Sequence, residues 1–117
     1  MYRDFIVPDD EEVLDKIGEW PEVDENGARV ITCRPDDGGD VLTFSYETLS
    51  RSVRARWTKS NGEDVLEIYR EGATRLTVSS ASQAKHILIE FHMGECAGVM
   101  EIQVSPSLSV RDRLLYV

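Results

Sequence analysis

Three residues in the second half of the chain, His86, Glu90 and His92, are of the types that bind zinc or transfer protons. His86 and Glu90 are four residues apart, so a helix would present them on one face. His86 and His92 are six residues apart, which separates them by about 240° on a helix of ~3.6 residues per turn. The two histidines therefore cannot bind one metal ion from a single helix, and we expect neither a metal nor a cofactor.

The candidate nucleophiles are Cys33 and Cys96, and neither lies in a motif that would activate a thiol. The cysteines also lack the paired spacing of a zinc site, so we expect two buried free thiols. The stretch "PDDGGD" (35–40) has two glycines, but its carboxylates would repel a phosphate. No pair among the 22 carboxylates is singled out for acid–base catalysis. We therefore expect a protein that is not an enzyme and has no catalytic residues.

Negative charge is concentrated at the N-terminal end of the chain. Residues 1–26 contain ten carboxylates and two cations, a balance of −8, whereas the remaining 12 acids and 11 bases leave only −1. Such an asymmetry produces a directional field that attracts and orients a basic protein partner. The alternative is that the acids only keep the protein soluble.

The candidate partner-binding residues follow from this asymmetry. The first choice is the set of acids in and beside the first predicted helix, and the second choice is the set in the 35–40 turn. They are Asp9, Asp10, Glu11, Glu12, Asp15 and Glu19, followed by Asp36, Asp37 and Asp40.

The basic residues Arg51, Arg54, Arg56 and Lys59 form one small concentration of positive charge. We interpret it as a solvated strand face paired with acids such as Glu67 or with the acidic helix. The net charge of −9 argues against direct binding to nucleic acid, because that affinity depends on Lys and Arg displacing counterions.

A first helix is predicted near residues 10–20. Asp9 is a suitable N-cap, and Glu12 completes a capping box three residues later. The apolar residues Val13, Leu14, Ile17 and Trp20 would share the buried face, and Pro21 would end the helix.

Short β-like segments separated by turn residues occupy the middle of the chain. They cover residues 28–34, 41–49, 52–57, 65–70 and 73–78, and a further segment covers 97–104. Asn61-Gly62 is the strongest hairpin signal. Leu42, Phe44 and Tyr46 alternate with polar residues, which predicts one apolar face of an antiparallel sheet.

A second helix is predicted near residues 81–93. Ser80 and Gln83 have capping-box spacing, and Gly94 is suited to the left-handed stop. The predicted apolar stripe consists of Ala84, Ile87, Leu88 and Phe91. The tail 105–117 is compatible with a last strand or a short helix.

Together these segments predict a single α+β domain over residues 1–117. An antiparallel sheet of about five to six strands would carry the N-terminal helix and the second helix near 81–93. No run approaches the ~20 apolar residues that cross a bilayer, and the acidic N-terminus is unlike a secretory signal. We therefore expect a cytoplasmic protein with no membrane partner.

The stretch "YREGATRLTVSSASQAKHILIEFHMGE" (69–94 with its flanking Glu95) resembles the bacterial immunity proteins grouped as immunity protein family 1. The matching positions are Val78-Ser79-Ser80, Ala84, Glu90-Phe91 and Gly94. The chain departs from the family pattern at its tail, where an aromatic residue, usually Trp, is expected after the last strand but the sequence is Ser105-Pro106-Ser107-Leu108. The resemblance implies a small cytoplasmic α+β protein that binds and blocks the toxin encoded beside it, often a nuclease or deaminase.

The sequence hypothesis is therefore an immunity protein in bacterial competition that neutralises a basic toxin domain through its acidic surface. One alternative is a DNA mimic that inhibits a defence enzyme. Another is a small-ligand-binding domain with Trp57, Tyr69 and His86 lining its site.

Overall fold

The computed structural model describes residues 4–35 and 38–116, which form one short helix and nine strands. The strands make two antiparallel sheets, β1-β2-β3-β4-β5 and β6-β7-β8-β9, each with sequence neighbours side by side. The elements are α1 (Asp10–Ile17), β1 (Glu22–Val23), β2 (Arg29–Cys33), β3 (Val41–Glu47), β4 (Ser52–Thr58), β5 (Asp64–Glu71), β6 (Ala73–Ala81), β7 (Ala84–Met93), β8 (Cys96–Ser105) and β9 (Ser109–Tyr116).

The first sheet has the apolar inner face that the alternation predicts. Leu42, Phe44 and Tyr46 of β3 are buried, while the intervening residues are more exposed. Phe44 pairs with Ile31 of β2 on one side and with Ala55 of β4 on the other, and both partners are buried. Directly opposite residues of an antiparallel pair share a face, so these side chains form one side of the core.

The predicted hairpin at Asn61-Gly62 is confirmed. The N–H of Gly62, whose φ is +89°, donates to the carbonyl of Lys59 over 2.9 Å. The Asn61 side-chain oxygen accepts the N–H of Glu63 over 2.9 Å. These local bonds close the turn between β4 and β5.

The helix predicted near 81–93 is wrong, because β6 and β7 form a hairpin there. Ile87, Ile89 and Phe91 are buried and alternate with less buried neighbours, which is the two-residue period of a strand. Ile87 and Phe91 also fit a helical stripe, so this segment has both periodicities. Ser82 and Gln83 form the turn, with φ values of +53° and +64°.

The chain passes from the first sheet to the second at Gly72. Its φ is +85°, and an added Cβ would lie 2.3 Å from Cγ of Met93, so only glycine fits there. The Gly72 carbonyl accepts the N–H of His92 in the second sheet over 2.9 Å. The N–H of Ala73 donates over 3.0 Å to the carbonyl of Arg51, in the turn between β3 and β4 of the first sheet. This junction therefore connects the sheets by hydrogen bonds on both sides.

Helix α1 begins as predicted but ends early. The Asp9 carboxylate accepts the N–H of Glu12 over 2.8 Å, which confirms the cap. Gly18 ends the helix in the left-handed conformation, with φ of +91°, before Pro21 is reached. Trp20 therefore lies beyond the helix and is 52% exposed. Leu14, inside the helix, is 46% exposed, so the buried stripe consists of Val13 and Ile17.

One hydrophobic core joins α1 to the inner faces of both sheets, and α1 packs against β6 and β7. The largest fully buried side chains come from all three parts; they include Val13, Phe44, Ile31, Ile87, Ile89, Met100 and Ile102. The α+β class holds broadly, but two sheets and one helix replace the predicted single sheet with two helices.

The strand edges complete the architecture. The segment around Ile6 pairs with the β6 edge, because the Ile6 N–H donates to the Thr74 carbonyl and the Ile6 carbonyl accepts the N–H of Leu76. The tail is strand β9, and Arg70 of β5 binds Asp112 of β9 across the two sheets. Within the described residues, no helix is long and apolar enough to cross a membrane.

Candidate functional site

The exposed acids of α1 form one surface of the helix. At about 100° per residue, Glu11, Asp15 and Glu12 fall within roughly 100° of one another around the helix axis. Val13 and Ile17 lie on the opposite side and are buried. The helix therefore docks by its apolar side and presents these three carboxylates to solvent.

The negative surface continues beyond the end of α1. Glu19 is exposed, and so are Glu22, Asp24 and Glu25 in the segment leading to β2. Among the described residues, Asp15 is the one exposed acid of this region with an ion pair, and its partner is Lys16, whose Nζ is 3.8 Å away. We call the exposed acids Glu11, Glu12, Asp15 and Glu19 the acidic face.

Two predicted partner-binding residues, Asp9 and Asp10, have structural contacts of their own. Asp9 is the N-cap of α1. Asp10 accepts a hydrogen bond from Arg29 Nε over 3.0 Å, and Nη2 of the same guanidinium is 3.5 Å away. Both carboxylates are therefore oriented by the fold, unlike those of the acidic face.

The second-choice acids do not form a comparable surface. The Asp40 carboxylate is partly buried and accepts a hydrogen bond from Trp57 Nε1 over 3.0 Å. Asp36 and Asp37 lie outside the residues that the structure describes. Asp40 is thus engaged within the first sheet.

A pocket of about 380 Å³ lies beside the start of α1. Its walls come from the segment entering the helix, the β1–β2 turn, and strands β2 and β3; the lining residues are Val7, Pro8, Asp9, Asp10, Gly27, Arg29, Tyr46 and Thr48. The Tyr46 hydroxyl is buried without a hydrogen-bond partner among the described residues. The sequence pattern placed Tyr46 in the core but gave no sign of this pocket.

Two charged residues of the pocket walls affect the pKa of Tyr46. Burial, with a smaller contribution from the Asp10 carboxylate, raises the pKa of Tyr46 to about 12, although the Arg29 guanidinium opposes both effects. The hydroxyl is therefore neutral at physiological pH and available as both donor and acceptor.

Within the basic group, Arg56 is paired with an acid, as expected for a solvated strand face. Arg56 donates to both carboxylate oxygens of Asp64, each over 3.1 Å. These bonds raise the pKa of Arg56 and lower that of Asp64. Arg54 lies 5.3 Å from the centre of the Tyr69 ring, and Glu67 is directly opposite Arg56.

The expected lining of a small-ligand site is wrong, because its residues lie on different surfaces. Trp57 pairs with buried Leu42 and so faces inward, whereas Tyr69 pairs with Arg54 on the outer face of the first sheet. His86 belongs to the second sheet. These three side chains cannot surround one ligand.

The metal and thiol candidates form no reactive centre in the described part of the chain. His86 and His92 lie on one face of β7 but six residues apart, a span of ~20 Å along a strand. No His, Cys, Asp or Glu cluster among the described residues is arranged to hold a metal ion.

The two cysteines are free but differ in burial. Cys33 is buried and Cys96 only partly, which corrects the expectation of two buried thiols. Burial, with a smaller contribution from Glu19, raises the pKa of Cys33 to about 12, although Lys85 opposes both effects. Cys33 is therefore an inert core thiol at neutral pH.

Comparisons with known proteins identify a shared fold. No protein-family model matches the chain, and no curated protein matches it in sequence. A solved structure, the contact-dependent growth inhibition toxin–immunity protein complex from Klebsiella pneumoniae 342, contains a chain with the same fold. The match has a TM-score of 0.80 and 14% identity, and it covers 94% of this chain and 96% of that chain.

The residues behind the resemblance to immunity protein family 1 have a different structural role from the one expected. Val78-Ser79-Ser80 belong to β6, while Ala84 and Glu90-Phe91 belong to β7. They are therefore strand positions of a hairpin, and the similarity to a toxin–immunity complex lies in the whole fold.

Proposed function

We propose that this chain is an immunity protein that binds a toxin domain and blocks its activity. The observation that carries the proposal is the fold shared, along 94% of this chain, with a chain of a toxin–immunity protein complex. Its assignment to the immunity side is supported by the acidic face, whose carboxylates suit recognition of a basic partner.

The partner we propose is a toxin domain that acts on nucleic acid, such as a nuclease or deaminase, in the cytoplasm. A protein that binds nucleic acid needs Lys and Arg side chains to neutralise phosphates. The acidic face would be attracted to that basic cleft and cover it, which excludes the substrate. Glu11, Glu12 and Asp15 are exposed on one side of α1 and are therefore accessible to such a partner.

A survival assay tests the proposal. The C-terminal domain encoded by the reading frame directly upstream would be expressed in a bacterial host alone, with this chain, and with an unrelated acidic protein of similar size. We expect killing by the domain alone, rescue by this chain and no rescue by the unrelated protein. A fourth culture expresses this chain alone and should grow normally.

Two results would overturn the proposal. Killing that persists despite soluble expression of this chain would exclude immunity towards that domain. Death of the culture that expresses this chain alone would instead place the chain on the toxin side of such a pair.

A further inference from the structure

The pocket beside α1 contains a polar group that has no hydrogen-bond partner in the described ranges 4–35 and 38–116. Tyr46 is only 2% exposed, and its hydroxyl makes no hydrogen bond with the described residues. A buried hydroxyl without a hydrogen bond is less stable than a hydrogen-bonded one, because it has lost its contacts with water. A buried hydroxyl normally has a hydrogen-bond partner, which can be a protein group, an ordered water or a bound molecule.

Tyr46 lies beside the charged residues of the pocket walls. Tyr46 and Arg29 are directly opposite each other on β3 and β2. Asp10 joins Arg29 from the first turn of α1, and all three residues line the pocket. The hydroxyl and the Asp10–Arg29 ion pair therefore face the same space.

The charges of the pocket favour a cation over an anion. Two carboxylates, Asp9 and Asp10, line it with one guanidinium, Arg29. One Asp9 oxygen accepts the helix N–H of Glu12, and the other oxygen has no hydrogen bond within the described residues. An anion could use Arg29 and the hydroxyl proton, but it would be repelled by both carboxylates. Glu11 and Glu12 would add to that repulsion.

We propose that this pocket receives an arginine side chain of the toxin domain, whose guanidinium donates to the Tyr46 hydroxyl and to the Asp9 and Asp10 carboxylates. This inference rests on the proposed function. A guanidinium has five N–H donors in a plane, so it can serve several acceptors at once. A volume of about 380 Å³ is ample for one such side chain. The pocket would thus be a specific anchor beside the acidic face.

A titration with a small probe tests the chemistry of the pocket without any toxin. N-acetyl-arginine amide would be added to the ¹⁵N-labelled full chain, with N-acetyl-glutamate as the matched anionic probe. We expect saturable shifts of the Gly27, Arg29, Tyr46 and Thr48 amides with a millimolar Kd, about −4 kcal/mol. Tyr46→Phe should abolish that saturation. Shifts caused by the anion, or by neither probe, would overturn the proposal.

Binding to the toxin domain tests the same residue in the complex. Tyr46→Phe removes only the hydroxyl, and Tyr69→Phe on the outer face of the first sheet is the matched control. We expect Tyr46→Phe to accelerate dissociation about tenfold and Tyr69→Phe to stay within about twofold of the native rate.

The outcomes separate the two proposals. If the native chain rescues the cells but Tyr46→Phe and the native protein dissociate from the toxin domain at equal rates, the pocket inference is overturned. The proposed immunity function is not affected by that result. Failure of the native chain to rescue would remove the immunity function, while the probe titration would still decide whether the pocket takes a guanidinium. Because Tyr46→Phe removes an unpaired group, its unfolding free energy should match or exceed that of the native chain.

Discussion

At the scale of single residues, neighbouring carboxylates at the start of α1 have different structural roles. Asp9 caps α1, Asp10 is paired with Arg29, and Glu11 is exposed. All three have the same kind of side chain, so the difference comes from the positions they occupy around the helix start. The effect of removing each carboxylate should differ accordingly.

We expect Asp9→Ala to lower the free energy of unfolding by about 1 kcal/mol, because it removes the hydrogen bond to Glu12 N–H. Urea denaturation followed by circular dichroism measures this change. Asp9→Asn keeps a capping oxygen and should retain most of the stability. Glu11→Ala is the control for loss of charge, and an equal loss there would mean that the cap contributes nothing.

The two thiols should react at different rates. Burial raises the pKa of Cys33 from 9.0 to about 12, so the thiolate fraction at pH 8 is far below that of an ordinary cysteine. We expect iodoacetamide to label the partly exposed Cys96 first and Cys33 only after unfolding, as read by mass spectrometry of peptides. Rapid labelling of Cys33 in the folded protein would contradict its burial.

Because the pKa of Cys33 is raised, the free energy of unfolding depends on pH in the alkaline range. A folded-state pKa above the unfolded value means that the native state retains a proton which the unfolded state releases. The stabilisation due to the neutral Cys33 is therefore present below pH 9 and is lost as the pH rises towards about 12.

At the scale of elements, the segment 84–93 shows how one pattern fits two structures. Ile87 and Phe91 are four residues apart, which suits a helix, while Ile87 and Ile89 alternate, which suits a strand. The strand forms because β7 pairs with β6 on one side and with β8 on the other. A central strand gains two ladders of hydrogen bonds that the sequence spacing does not reveal.

The turn that replaces the predicted helix start can be tested. Ser82 and Gln83 both have positive φ, which costs residues other than glycine roughly 1–2 kcal/mol each. We expect the double change Ser82→Asn and Gln83→Gly to raise the unfolding free energy by about 1 kcal/mol, since Asn-Gly favours this two-residue turn. Thermal and urea denaturation measure the gain.

If residues 81–93 formed a helix, the double change would lower the unfolding free energy, because Gly in a helix interior is destabilising by about 1 kcal/mol. A loss of stability in the double variant would therefore argue against the β6–β7 hairpin. Gly62→Ala in the β4–β5 turn is a control of known direction, since Gly62 has φ of +89° and should lose stability on substitution.

At the scale of the whole molecule, the negative charge is concentrated around one helix. Eight of the ten acids of residues 1–26 lie in α1 or in the segment that follows it, and α1 is packed on the second sheet. The orientation of the helix therefore decides which carboxylates reach solvent. Screening limits their reach to about 8–10 Å at physiological ionic strength.

We expect replacement of Glu11, Glu12 and Asp15 by Lys to slow association with the toxin domain at least about tenfold at low salt. The difference should shrink as salt is raised, because screening weakens long-range attraction. Stopped-flow or surface-based kinetics give the rate constants. The matched control replaces Glu63, Glu71 and Glu95, which are exposed elsewhere, by Lys. Equal slowing in both variants would assign the effect to net charge rather than to the acidic face.

The sequence by itself determined the features that depend on neighbours along the chain. The charge asymmetry, the Asp9 cap, the alternation of β3 and the Asn61-Gly62 turn all follow from local spacing and backbone preference. It also indicated the antiparallel character of most strands. These features involve residues within a few positions of one another, so their physical causes are visible in the sequence.

Only the tertiary structure decided the features that depend on distant residues. Strand pairing made 84–93 a strand, and the division into two sheets followed from the turn of the chain at Gly72. The ion pair of Asp10 with Arg29 and the nearby Tyr46 hydroxyl, which has no hydrogen bond within the described part of the chain, involve three separate elements. Long-range packing of this kind depends on which of all possible strand pairings is the most stable. The local preferences of single residues do not carry that information.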